Sequence, residues 1–328
     1  MLAFVSLVGG IFLLVKGADW LVDGASSLAR RFGVSELAIG LTIVAFGTST
    51  PELAVNIQSS ITGANDIAIG NVVGSNIANI LLILGIAGVL ATMRIQTSTV
   101  WKEIPFAVLA ALVLIIMAND AFIEGAAASG LTRTDGLTLL AFFFIFLWYT
   151  FGMKAAEEGG HAAAGHGLWM SALLVIAGLA GLVLGGSFTV SGAVRIAEAA
   201  GVSQALIGFT VVAVGTSLPE LFTSAVAAYR GKSDIAIGNI VGSNIFNTFL
   251  ILGIGATLRP IPFRGDLNVD LLVSLGAAVL LFYLVHNGPV HRRLRFWSQR
   301  AGHAIRRIDG IAMLVAYAAY VGFLVWRG

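Results

Sequence analysis

Long apolar runs separated by short polar segments make up almost the whole chain of 328 residues. A transmembrane helix needs about 20 consecutive, mostly apolar residues, and ten runs approach or exceed that length. The pattern predicts ten membrane-spanning helices, at residues 2–28, 35–61, 67–91, 101–118, 135–153, 168–194, 203–229, 235–258, 268–286 and 309–326. Charged residues make up only 11% of the chain, against roughly 25% in a soluble domain. The composition therefore predicts an all-α, polytopic membrane protein.

Basic residues are divided unevenly between alternate connections. If the N-terminus lies outside, 13 Lys and Arg residues fall in cytoplasmic segments and 5 in outer segments, as the positive-inside rule requires. The chain is therefore predicted to lie in the cell (inner) membrane, with both termini outside and the basic loop 287–308 in the cytoplasm. Within the first helix, Lys16 and Asp19 are spaced to form a local ion pair.

Two polar motifs occur twice, 168 positions apart and without a gap. Residues 45–52 read AFGTSTPE and residues 213–220 read AVGTSLPE, while GNVVGSNIAN at 70–79 matches GNIVGSNIFN at 238–247. Each copy holds five predicted helices, an odd number, so the second copy enters the membrane from the opposite side. The duplication predicts an inverted-topology repeat, as in many secondary transporters. The predicted units are a first five-helix repeat at 1–153, a cytoplasmic linker at 154–167 and a second five-helix repeat at 168–328.

Each copy of the first motif places a proline inside an apolar helix. Pro51 and Pro219 have no N–H to donate to the carbonyl four residues earlier, so helices 2 and 7 are predicted to be broken there. Such freed groups are tolerated at membrane depth only where protein or a water-filled cavity covers them. Glu52 and Glu220 follow directly, and an ionisable residue inside a membrane is a functional candidate.

The side chains around the two breaks offer only oxygen and amide groups. An all-oxygen site suits hard cations such as Ca²⁺. Asn71, Asn76, Asn239 and Asn244 are predicted to join helices by hydrogen bonds instead. The candidate ligands are Glu52, Glu220, Thr48, Thr216, Ser49, Ser217, Ser75, Ser243, Asn79 and Asn247.

The duplicated Gly-Thr-Ser-x-Pro-Glu and Gly-Ser-Asn-Ile-x-Asn motifs resemble those of the sodium/calcium exchangers, prokaryotic type, of the cation/calcium antiporter superfamily. The resemblance covers the whole chain in topology and is most specific at about 40–86 and 208–254. It implies a central cluster of sodium and calcium sites, with helices 1 and 6 sliding against the core to switch access.

The resemblance also implies a role for each candidate. Glu52 and Glu220 would bind calcium and sodium, and the carbonyls of Thr48 and Thr216 would complete the calcium site. Asn79 and Asn247 would line the middle of the cluster. The implied ligands of the flanking sodium sites are Ser49, Ser75, Ser217 and Ser243, with the carbonyls of Ala45 and Ala213.

Charge balance gives the implied exchange a mechanism. With Glu52 and Glu220 ionised, one Ca²⁺ or two Na⁺ neutralises the site, and both loads together repel each other in a poorly solvated space. A third Na⁺, as the family suggests, makes the cycle electrogenic. Some microbial and potassium-dependent relatives carry Asp at the position of Asn247, whereas animal exchangers without potassium coupling resemble this chain there, so the resemblance favours independence of K⁺. No cofactor is expected beyond the transported ions, Na⁺ and Ca²⁺. The expected partner is the lipid bilayer, and no nucleic acid is expected to bind. A monomer is expected to be sufficient for transport.

Three other functions compete with sodium/calcium exchange. A Ca²⁺/H⁺ antiporter could use the same two glutamates, but proton-coupled relatives generally show a Gly-Asn-Ala-x-Glu pattern that this chain lacks. A passive divalent-cation channel would need no sodium. An intramembrane hydrolase would need a nucleophile, paired aspartates or a metal site, which the repeats do not offer, so the chain is not predicted to be an enzyme.

Overall fold

The computed structural model describes residues 2–63, 65–152, 165–200, 215–286 and 302–327. In this part of the chain, 8 helices are long and apolar enough to cross a membrane, and Glu36–Thr48 with Thr50–Thr62 forms a further candidate bent by 49°. The prediction of a mainly helical, multi-pass protein is therefore confirmed. The count of ten spans stays a prediction, because much of the seventh run lies outside the described residues.

The helices of the first half begin and end close to the predicted boundaries. They are α1 (Leu2–Phe32), α2 (Glu36–Thr48), α3 (Thr50–Thr62), α4 (Asn65–Ile77, continuing to Leu90), α5 (Thr97–Trp101), α6 (Glu103–Met117), α7 (Asp120–Ile123) and α8 (Arg133–Phe151). α1 ends at Phe32 rather than at residue 28, because the helix continues past the apolar run through its two arginines.

The second half repeats this order. Its helices are α9 (Leu168–Ala199), α10 (Leu218–Tyr229), α11 (Ser233–Leu258), α12 (Asn268–Val285) and α13 (Arg307–Arg327). Matched by the 168-residue offset, α3 corresponds to α10 and α4 to α11. The predicted linker 154–167 falls largely outside the described residues.

Three of these helices contain wider, π-helical turns. They are Gly40–Val44 in α2, Ala78–Ile83 in α4 and Phe246–Ile251 in α11. The last two occupy equivalent positions of the repeat and contain Asn79 and Asn247. Turns of this kind interrupt the regular helical pattern and occur often at functional sites.

Two short strand pairs add to the predicted all-α fold. β1 (Met93–Ile95) pairs antiparallel with β4 (His303–Ile305), and β2 (Gly130–Leu131) pairs antiparallel with β3 (Ile261–Pro262). Each pair joins a connection of the first half to one of the second half. β4 also lies within the predicted basic loop 287–308, of which residues 287–301 are outside the described part of the chain.

Glycines bring the backbones of α1 and α9 into direct contact. A Cβ added at Gly17 would lie 2.8 Å from the Gly178 carbonyl oxygen, and one added at Gly192 would lie 2.6 Å from the Leu7 nitrogen. Small residues permit this close approach between membrane helices. The two longest helices of the described chain therefore pack as one unit.

Two side chains of α9 lie against the two helix breaks. A Cβ added at Gly47 would meet Leu179 Cδ2, and one added at Gly215 would meet Val190 Cγ2. Both glycines immediately precede the Thr-Ser pair of a break. A methyl group at either glycine would require the Leu179 or Val190 side chain to move, so α9 lies directly against both breaks.

Ion pairs connect helices of the two halves. Arg230 pairs with Asp19 at 3.1 Å and also with Asp23, both in α1, and Lys232 Nζ lies 2.8 Å from Glu36 Oε1. The predicted pair between Lys16 and Asp19 is wrong, because the Asp19 carboxylate takes the guanidinium of a residue far along the chain instead.

Candidate ion-binding site

Both helix breaks have the same local geometry. The backbone dihedral angles are φ −83°, ψ 7° at Ser49 and φ −89°, ψ 6° at Ser217. Before the first break the Ser49 nitrogen donates to the Ala45 carbonyl at 3.0 Å, and after it the Leu53 nitrogen donates to the Ser49 carbonyl at 3.0 Å. The missing N–H of Pro51 falls between these bonds, so carbonyl oxygen is left available at the break.

Each break places its glutamate against the serine of the other break. Ser49 Oγ donates to Glu220 Oε1 at 2.9 Å, and Ser217 Oγ lies 3.3 Å from Glu52 Oε1. Both glutamates are 1% exposed. The duplicated motifs therefore meet crosswise at one buried place, where the sequence predicted a joint site.

The serine in each of these contacts also lies close to a second serine. Ser49 Oγ is 3.0 Å from Ser243 Oγ of α11, and Ser217 Oγ is 3.4 Å from Ser75 Oγ of α4. All four serines are buried. Each half of the site thus combines a carboxylate with two hydroxyl groups.

Amide side chains form a network between α4 and α11. Asn79 Nδ2 donates to Asn244 Oδ1 at 2.9 Å, and Asn247 Nδ2 donates to Asn76 Oδ1 at 3.1 Å. Asn76 Nδ2 donates in turn to Thr248 Oγ1 at 3.0 Å. These bonds fit the interhelical role predicted for Asn76 and Asn244, and they fix the orientation of the two candidate ligands.

Four buried acceptor oxygens within this group have no hydrogen-bond partner in the described part of the chain. They are Glu52 Oε2, Glu220 Oε2, Asn79 Oδ1 and Asn247 Oδ1. An acceptor that is buried without a partner costs about 1–3 kcal/mol, and more when it is charged. The four oxygens form two symmetry-related pairs, which are suited to accept a cation.

The two threonines differ in their surroundings. Thr48 Oγ1 donates to Asn239 Oδ1 at 2.9 Å, whereas Thr216 Oγ1 has no hydrogen-bond partner among the described residues. The Ala45 carbonyl, a predicted sodium ligand, lies 3.3 Å from Thr48 Oγ1. Ala213, its predicted counterpart, lies outside the described residues.

No basic side chain neutralises the two glutamates within the part of the chain that is described. The ion pairs found there involve other acids. A buried carboxyl group is either protonated or paired with a compensating positive charge. A bound metal cation would supply that charge for Glu52 and Glu220.

Two contact residues of the site were missed by sequence reasoning. Thr248 accepts a bond from the amide network, but its counterpart in the repeat is Ile80, so the duplication gave no signal. Ser224 accepts from Asn239 Nδ2 at 2.9 Å, and its counterpart is Asn56. Thr248 and Ser224 are buried side chains that only the folded structure brings into contact with the site.

Comparison with known proteins identifies the fold and the family. The model of the family described as sodium/calcium exchanger protein matches residues 2–152 and 170–326. The chain is 32% identical over 366 residues to the sodium/calcium exchanger MaX1 of Methanosarcina acetivorans, covering 98% of both proteins. It is also 35% identical over 305 residues to the inner membrane protein YrbG of Escherichia coli, covering 85% of this chain and 89% of the relative.

Solved structures of similar fold indicate the same family. A structure of the sodium-calcium exchanger NCX_Mj, soaked with Na⁺ and without Ca²⁺, superposes with a TM-score of 0.81 at 32% sequence identity and covers 98% of both chains. The family model, the full-length relatives and this structural match agree with the resemblance seen in the repeated motifs. The chain is therefore a multi-pass transporter that belongs to the sodium/calcium exchanger family of cation/calcium antiporters.

Proposed function

We propose that the protein exchanges Na⁺ for Ca²⁺ across the cell membrane by alternating access. The observation that carries this proposal is the crosswise pairing of Glu52 and Glu220, both buried, without a basic neighbour in the described chain and each with an unpartnered oxygen. The names of MaX1 and NCX_Mj as sodium/calcium exchangers add support.

Calcium is assigned to the centre of the site. Its ligands are the carboxylates of Glu52 and Glu220 and the carbonyls of Thr48 and Thr216, since calcium takes six to eight oxygens in flexible geometry. Sodium takes the flanking positions, and the oxygens of Asn79 and Asn247 line the middle. The assigned flanking ligands are Ser49, Ser75, Ser217 and Ser243, with the carbonyls of Ala45 and Ala213.

Charge balance explains why the two loads exclude each other. The ionised glutamates carry two negative charges, which one Ca²⁺ or two Na⁺ neutralises, and a fuller load leaves excess positive charge in a buried space. With a third Na⁺ the cycle moves net charge. Asn247 adds no further fixed negative charge, which favours a cycle without K⁺.

The proposed topology is a ten-helix inverted repeat with both termini outside. The equal offsets between α3 and α10 and between α4 and α11 support a structural duplication, and the excess of basic residues in alternate connections supports the orientation. The domains remain those proposed from the sequence, a five-helix repeat on each side of the linker 154–167. The similarity to the inner membrane protein YrbG favours the inner membrane.

Calcium/proton exchange is the second candidate. Its support is the unpartnered Oε2 atom of each glutamate, because a carboxyl oxygen of this kind can hold a proton instead of a metal ion. In that mechanism the same two residues would carry protons in the return step. The driving ion therefore distinguishes the two candidates.

Transport in proteoliposomes tests the proposal. Vesicles loaded with Na⁺ are diluted into Na⁺-free buffer, and uptake of radioactive calcium is followed with and without an imposed pH gradient. Uptake that requires the outward sodium gradient is expected. Uptake that ignores sodium and follows the pH gradient would establish the proton-coupled candidate, and uptake that needs neither gradient and does not saturate would indicate a channel.

A further inference from the structure

Among the described residues, one contact of the site is made in one of its two halves and is missing from the other. Thr48 Oγ1 donates to Asn239 Oδ1 at 2.9 Å, and Asn239 Nδ2 donates to Ser224 Oγ at 2.9 Å. Asn239 Nδ2 also lies 3.5 Å from the Glu220 carbonyl oxygen. Thr48, Asn239 and Ser224 are each fully buried. Asn239 thereby ties the threonine of the first break to the helix that carries the glutamate of the second break.

The duplication provides an equivalent pair that is not joined. Thr216 and Asn71 stand at the positions of Thr48 and Asn239 in the other copy of the motif. Thr216 Oγ1 and Asn71 Nδ2 are both buried atoms, and neither has a hydrogen-bond partner in the described part of the chain. The bond that would correspond to Thr48–Asn239 is therefore not formed between Thr216 and Asn71 in the described part of the chain.

Neighbouring contacts show the same asymmetry. On the joined side Ser49 Oγ is 2.9 Å from Glu220 and 3.0 Å from Ser243, and on the other side Ser217 Oγ is 3.3 Å from Glu52 and 3.4 Å from Ser75. The first break is drawn against α11 more tightly than the second break is drawn against α4. The two halves of one duplicated site thus differ in the lengths of their equivalent contacts.

We propose that Asn239 and Asn71 are alternating clamps, each of which positions the threonine of the opposite break in one access state. In the state of this structure Asn239 holds Thr48. In the opposite state Asn71 holds Thr216 and the bond to Asn239 is released. The proposal rests on the proposed sodium/calcium exchange by alternating access.

The exchange of partners gives the two states similar free energies. A buried amide or hydroxyl group without a partner is unfavourable, so a transition that only broke the Thr48 bond would be costly. Forming the Thr216 bond in the same movement offsets that cost. Each clamp acts beside a proposed calcium ligand, because the carbonyls of Thr48 and Thr216 belong to the residues that the clamps hold.

Loss of one clamp should favour the state that uses the other. The apparent affinity for an ion on one face of the membrane falls with the fraction of protein that exposes the site to that face. A change of intrinsic affinity alters both faces together, whereas a shift between access states alters them in opposite directions. The ratio of the half-saturating calcium concentrations on the two faces therefore measures how far the loss of a clamp shifts the populations of the two access states.

The experiment compares Asn239→Ala with Asn71→Ala in vesicles of known orientation, with calcium applied to either face under a sodium gradient. We expect the two variants to move the ratio in opposite directions, each by about tenfold, the value of one buried hydrogen bond. Thr48→Val should follow Asn239→Ala, and Thr216→Val should follow Asn71→Ala. These valine variants keep the backbone carbonyls and provide a second route if an asparagine variant does not fold.

Two results would overturn the proposal. The first is an unchanged ratio in folded variants, and the second is a shift in the same direction for both asparagine variants. A purely structural role lowers the amount of folded protein or the maximal rate and leaves the ratio unchanged. Failure of the proposed function is separate, because it appears as wild-type uptake that does not respond to the sodium gradient.

Discussion

Replacing Glu220 by Gln should remove calcium exchange while keeping the shape of the site. Glu220 is 1% exposed, receives a hydrogen bond from Ser49 and has no basic partner in the described chain. The glutamine amide can still accept that bond through its oxygen. The substitution therefore removes one of the two negative charges proposed to hold the divalent ion and changes little else.

The size of the effect follows from the burial of the charge. At an effective dielectric constant of about 20, a unit charge and a divalent ion about 2.5 Å apart attract by roughly 13 kcal/mol. The free energy needed to dehydrate the carboxylate and the calcium ion cancels most of this attraction. Removing one partner of a buried charge pair costs about 3–5 kcal/mol, which corresponds to a rise of roughly 150-fold to 5,000-fold in the half-saturating calcium concentration.

Sodium-driven calcium uptake in proteoliposomes measures this change. Glu103→Gln is the matched control, because Glu103 is also a fully buried glutamate but lies in α6 and is bonded to Tyr149 OH at 2.5 Å instead of facing the other break. We expect exchange to survive in the control. A half-saturating calcium concentration in Glu220→Gln within about threefold of wild type would refute the charge argument, and equal losses in both variants would show that the effect is not specific to the site.

Three further predictions concern stability in detergent. Gly10→Ala should lower the melting temperature, because its Cβ would lie 2.5 Å from a backbone nitrogen of α9, whereas Gly9→Ala, with nothing within 4 Å, should not. Arg230→Gln removes half-exposed ion pairs, so it should cost about 1 kcal/mol or less and the loss should shrink at high salt; a large, salt-insensitive loss would contradict this. Tyr149→Phe should lower the melting temperature more than Tyr320→Phe does. Glu103 loses its hydrogen-bond donor in the first variant, whereas Asp270 keeps Arg327 as a partner in the second. The reverse order would contradict this reasoning.

The repeat and its two breaks were predictable from the sequence because they depend on local chemistry. Pro51 and Pro219 remove a backbone donor wherever the rest of the chain goes, and the 168-residue offset pairs each polar residue with its counterpart. Helix ends were also predictable to a few residues, since the apolar runs stop where polar and small residues begin.

Contacts between distant residues were not predictable in the same way. The pair of Asp19 with Arg230 replaces the local pair that spacing favoured, because the fold brings an arginine from the second half against the interior of α1. The π-helical turns around Asn79 and Asn247 left no local mark, since their apolar and polar residues fit an ordinary helix equally well. The asymmetry between Thr48 and Thr216 depends on the conformation adopted, which the nearly identical motifs cannot encode.

The contacts of α9 give the transporter a mechanical linkage. Leu179 lies on Gly47 and Val190 lies on Gly215, and the eleven-residue separation spans about 16 Å of one continuous helix. Because Leu179 and Val190 belong to one continuous helix, a movement of α9 that changes its contact with one break also changes its contact with the other. A displacement of α9 therefore acts on both breaks together, because the hydrogen-bonded backbone of a single helix holds Leu179 and Val190 at a fixed separation.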